Sequence, residues 1–161
     1  MVKENMSKAQ KLTFSAMIMA LYIVVLYFTQ SFSFGAYQIR IATSLYGLSY
    51  LFPFLVLPLG FANFIANMLF GGLGLLDMFG GCIVGIVTTA IIVLIRRQGW
   101  SLPIILVPGL GVSTYLSYLL HVPYSALALS LCIGQTVPAI CGAVLVNVLQ
   151  RALYPQKIKA D

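Results

Sequence analysis

Acidic residues are almost absent from this chain: Glu4, Asp77 and Asp161 are the three among 161 positions, and His121 is the lone histidine. Charged residues of both signs make up 7% of it, against roughly 25% in a soluble globular domain. A surface so poor in charge cannot be kept in water. The chain therefore reads as a single transmembrane domain over residues 1–161, with lipid as its solvent. The same scarcity excludes most chemistry. Away from the termini, Asp77 and His121 are the acid–base candidates, too few for a base, its orienting partner and a nucleophile. The sequence has no G-x-x-x-x-G-K-[ST], no H-E-x-x-H and no G-x-S-x-G, so it holds no phosphate loop and no protease or hydrolase signature. Cys82, Cys132 and Cys141 are scattered through apolar sequence without C-x-x-C or metal spacing, and read as small packing residues. The expectation is a non-enzymatic chain with no metal and no cofactor of its own.

What is abundant is hydrocarbon: 61% of residues are hydrophobic and the mean hydropathy is +1.02. About 20 apolar residues cross a bilayer as a helix. The sequence divides into six such stretches, at 12–29, 44–57, 59–71, 78–95, 102–120 and 125–149. The fold class expected is an all-α integral membrane protein with six transmembrane helices. The second and third are the shortest, separated by Pro58 and weakened by Pro53. The polar, basic start lacks a cleavage signature, so the first span is expected to be retained.

The net charge of +6 does not form a basic groove, which argues against nucleic acid. Lys3, Lys8 and Lys11 precede the first span, Arg96 and Arg97 follow the fourth, and Arg151, Lys157 and Lys159 follow the sixth. With six spans these places share one side, which the positive-inside rule makes the cytoplasm. Both termini are expected there, in a multi-pass protein of the plasma membrane. Arg40 and Asp77 then fall near the opposite boundary, in loops.

Two readings of that isolated cation and anion stand open at this point. They form a structural ion pair or sit solvated in loops, or they line a solute pocket, since ionisable groups at membrane depth mark substrate paths. Polar neighbours favour a pocket: Gln38 and Tyr37 beside Arg40, Asn63 and Asn67 one helical turn apart, and Gln135 inside the sixth span. An amide in a membrane helix requires a partner, either another helix or a ligand. Small-xxx-small pairs at Ala16 and Ala20, Gly81 and Gly85, and Ala139 and Ala143 permit close approach of helices.

The runs SFGAYQIR, ANMLFGGLGLLD and GCIVGIVTTAIIVLIRR, in this order, resemble the QueT family of queuosine-precursor S-components in energy-coupling factor (ECF) transporters. The resemblance implies a six-helix, substrate-binding subunit of an ATP-driven importer. It would capture a queuosine precursor or related 7-deazaguanine (queuine, or the cyano or aminomethyl base) from outside. It implies as partners a transmembrane coupling subunit and two cytoplasmic ATPases, which would use the ATP. Ala16 and Ala20 match the family's AxxxA docking motif. Arg40, Asp77, Gln38, Asn67, Gln135, Tyr37 and Thr43 are the implied substrate-binding positions. The chain departs from the family pattern at Thr43 and Gln135, where glutamates are expected, and at Val107–Gly109, which reads VPG. The alternative is a stand-alone secondary carrier or facilitator for a small heterocyclic nutrient.

Overall fold

The hydroxyl of Ser7 accepts from the Gln10 backbone while the Gln10 side chain accepts from the Ser7 N–H, at 3.2 and 2.9 Å. This capping box starts α1 (Lys8–Ser33) by satisfying two N–H groups that a helix leaves open. In this computed structural model, residues 6–34, 38–71, 73–95 and 100–153 are described, and every regular element among them is helical. A 3₁₀ stretch, Ile41–Gly47, runs into a single turn, α2 (Leu48–Leu51), and then a 3₁₀ turn at Pro53–Leu55. α3 (Val56–Ala66) follows and widens into a π turn at Asn67–Gly71. α4 (Leu75–Ile95), α5 (Leu102–Leu120) and α6 (Tyr124–Leu153) complete the order.

Among the described residues, five helical stretches are long and apolar enough to cross a membrane: Lys8–Ser33, Pro53–Gly71, Leu75–Ile95, Leu102–Leu120 and Tyr124–Leu153. The stretch expected as a second span differs. Seven 3₁₀ residues and one α turn cover roughly 20 Å, and residues 42–49 are buried throughout. Backbone of this kind is tolerated at membrane depth only where protein surrounds it. Its ends nevertheless pack at opposite ends of the helices. Arg40 lies against Asn63 and Asn67, whereas Tyr50 packs against Trp100 and Phe52 against Phe14 as tilted ring pairs, with centroids 5.1 and 4.9 Å apart.

The break before α3 also differs from expectation. It falls at Phe52–Pro53, and Pro58 is the third residue of the helix, where its missing N–H would have had no partner anyway.

α1, α3, α4, α5 and α6 pack as successive neighbours, except that the buried 41–47 stretch stands between α6 and α1. The core around it holds Tyr22, Leu26, Tyr46, Leu55, Leu59, Ile104 and Val146. The outer faces carry Leu12, Phe28, Phe61, Ile83, Leu94 and Ile140, all exposed, as lipid-facing surfaces must.

Candidate functional site

Arg40 is 7% exposed and Asp77 5%, so neither is a solvated loop residue. Asp77 is not in a loop at all. It is the third residue of α4, where the helix dipole favours a negative group.

The two do not form an ion pair. The Arg40 guanidinium donates from Nη1 to Asn63 Oδ1 at 3.0 Å and from Nη2 to Asn67 Oδ1. Asn63 and Asn67 lie four residues apart, one turn along α3, so both amides meet one planar fork. The face of Phe34 lies 5.1 Å from the guanidinium carbon, within cation–π range. Asn67 passes the connection on, donating to the Asp77 backbone carbonyl at 2.9 Å.

The Asp77 carboxylate accepts from the Tyr115 hydroxyl at 3.2 Å, across to α5. Its Oδ2 has no partner among the described residues. Gly71 makes room for it, since a Cβ there would sit 2.6 Å from that oxygen. Removing the Tyr115 hydroxyl in Tyr115→Phe leaves Oδ1 bare as well. The expected cost is about 1–3 kcal/mol of stability, read as a lower thermal midpoint in detergent with α-helical content retained.

A second polar chain lies on the other side of Arg40. The Thr43 hydroxyl is 2.7 Å from the Arg40 carbonyl and 2.9 Å from Gln135 Oε1. Gln135 Nε2 faces the Gln38 carbonyl at 3.5 Å. Gln38 has φ +43°, a left-handed conformation that costs a non-glycine residue. Such strain gathers at ligand sites.

Between the two chains lies a narrow cleft. Its walls lie close together, and the cavity volume between them is about 10 Å³, room for one water-sized molecule. Gln38, Arg40, Thr43, Tyr46, Asn63 and Gln135 supply its polar wall. Val84, Pro108, Val112 and Leu131 supply its apolar wall. Apolar surface facing a few fixed polar groups is the usual make-up of a small-molecule site.

Of the residues expected to bind substrate, Gln38, Arg40, Thr43 and Gln135 thus meet at one cleft. Asn67 reaches it through Arg40. Asp77 stands one step behind Asn67, outside the lining. Tyr37 lies outside the described residues. Ala16 and Ala20 are exposed on one face of α1.

Three contributors stand outside the expected substrate-binding set. Asn63 was legible from its spacing to Asn67 and carries one arm of the fork. Tyr46 accepts from Asn63 at 3.0 Å and stacks on Tyr22. Tyr115 holds Asp77. A tyrosine in an apolar helix signals only that its hydroxyl needs a partner, so sequence could not say which.

A family model described as QueT transporter matches residues 12–151. Neither the curated proteins nor the solved structures give a match.

Proposed function

The chain belongs to the QueT transporter family, a multi-pass membrane transport protein, and on that premise we propose that it is the substrate-binding S-component of an ECF importer. It captures a queuosine precursor or related 7-deazaguanine from outside. A transmembrane coupling subunit and two cytoplasmic ATPases complete the importer, and ATP is used there rather than in this chain. The topology proposed has six passes, with the buried 41–51 stretch as the second, and both termini cytoplasmic beside the basic residues.

The observation that carries this reading is the Arg40 guanidinium. It is held in the cleft wall by Asn63 and Asn67, with Nε left without a partner among the described residues. A buried donor without an acceptor is costly in the protein alone, and a ring carbonyl or nitrogen supplies one. A bicyclic base needs the walls to part. The stretch Gln38–Arg40 is the wall element not locked into a helix.

Titrating the purified protein with 7-deazaguanine bases tests the substrate class. Affinity well below millimolar is expected, and none tighter than about 1 mM for any of them rejects it. Uptake in cells lacking coupling ATPases would instead establish the stand-alone carrier.

The exposed small face of α1 supplies a separate prediction. Ala16→Trp is expected to leave ligand affinity within about twofold while cutting uptake at least about tenfold, because small residues set how closely helices approach. Paired binding and whole-cell uptake assays on the one variant check it.

A further inference from the structure

Among the described residues, the cleft wall contains a cation and no anion. Of the ten residues lining it, Arg40 alone is charged. Its two side-chain hydrogen bonds go to neutral amide oxygens. Asp77, the one acidic residue among those described, lies outside the lining and turns its Oδ1 toward Tyr115. Buried charges are ordinarily paired with their opposite. Here the nearest groups are dipoles. Asp77, one residue further back behind Asn67, offsets the guanidinium only in part and from outside the lining, so the face toward the cleft is that of a cation.

The far wall does not supply an anion either. Thr43 and Gln135 are neutral and already engaged with each other. The Thr43 hydroxyl has one proton for two acceptors, the Arg40 carbonyl and Gln135 Oε1, so one of these oxygens has spare accepting capacity. That is enough for a neutral donor. It is not a counter-charge for an ammonium.

Resting on the assignment of this cleft to deazaguanines, we infer that the site selects among them by the charge of the 7-substituent. It takes bases whose substituent is neutral and accepts hydrogen bonds, as a nitrile does, and disfavours those bearing an amine. An alkylamine is protonated at neutral pH, as lysine is. Whichever edge of the ring faces Arg40, a second cation enclosed with it is repelled, and the low dielectric around a buried site strengthens that repulsion. The Arg40 Nε–H, buried and without a partner among the described residues, becomes a donor to a nitrile nitrogen or ring carbonyl once the walls part.

The test uses the intact chain and three ligands: 7-deazaguanine, its 7-cyano derivative and its 7-aminomethyl derivative. The cyano base is expected to bind at least about tenfold tighter than the aminomethyl base, with unsubstituted 7-deazaguanine nearer the cyano base. The variant Gln135→Glu puts a carboxylate in the wall at nearly constant volume. It is expected to narrow or reverse the ratio by tightening the aminomethyl base. Aminomethyl affinity equal to or above that of the cyano base in the unmodified protein overturns the charge inference while leaving the substrate class standing. No measurable affinity for any of the three overturns both. A ratio unmoved by a well-folded Gln135→Glu also overturns the inference, because it would mean that charge in this wall does not govern the choice.

Discussion

Arg40→Ala is expected to weaken binding of a 7-deazaguanine by about tenfold to a hundredfold, the worth of a charge-assisted hydrogen bond in a buried site, with a modest loss of stability. The second half of that expectation follows from opposing terms. The substitution removes two bonds to Asn63 and Asn67, each contributing roughly 1.5–3 kcal/mol, and leaves two buried amide oxygens bare. It also removes a charge from membrane depth, where a cation costs about 2.5–3.5 kcal/mol on insertion scales. The second term offsets the first only in part, so the thermal midpoint should fall by a few degrees in a variant that still folds, while the ligand is lost. Arg40→Lys should not restore affinity. An ammonium is a point charge that cannot span two amides as a planar fork does, and it has no counterpart of Nε–H. Calorimetric titration beside a melting curve for each variant separates the two effects. Full affinity in a folded Arg40→Ala would show that the guanidinium serves structure alone.

Gly142→Val is expected to destabilise the protein by about 1–3 kcal/mol or more, and to impair binding without altering any group in the cleft. A Cβ at position 142 of α6 would stand 2.8 Å from the Ser44 carbonyl oxygen and 3.4 Å from the Ser44 Cα. These are backbone atoms and cannot rotate aside. Either α6 or the 41–47 stretch must move. Ser44 adjoins Thr43, whose hydroxyl meets Gln135 seven positions before Gly142 on α6, so a shift at one level is transmitted to the other. A fall of several degrees in the melting midpoint, with weaker ligand binding, is the expected result. Val144→Leu, on the exposed face of the same helix, should change neither. An unchanged midpoint for Gly142→Val would mean that the buried stretch does not rest on α6.

The helices that face lipid were legible because their hydrophobic lengths answer to one physical quantity, the thickness of the bilayer. Spans four to six coincide closely with α4, α5 and α6. The 44–57 stretch was not legible in the same way. Its composition is equally apolar, but hydropathy cannot distinguish a segment bathed in lipid from one wrapped in protein. Only the second can run as 3₁₀ backbone. The polar cluster around Arg40 was found because a charge among apolar residues is costly wherever it sits. Its wiring was hidden. Nothing in the sequence says that Asn63 and Asn67 bind Arg40 rather than a solute, or that Asp77 turns to Tyr115. Those choices depend on which helix stands opposite, and the order of packing is a property of the bundle. Thr43 and Gln135 lie 92 residues apart and meet at 2.9 Å because the buried stretch packs on α6.

A structure of the protein with 7-deazaguanine bound tests most directly whether the Arg40 cleft is the substrate site. The base should lie between Val84, Pro108 and Leu131, with a ring acceptor within about 3 Å of Arg40 Nε and the Asn63 and Asn67 contacts to the guanidinium intact. A base seated elsewhere in the bundle, with Arg40 Nε turned to another protein group, would contradict the account.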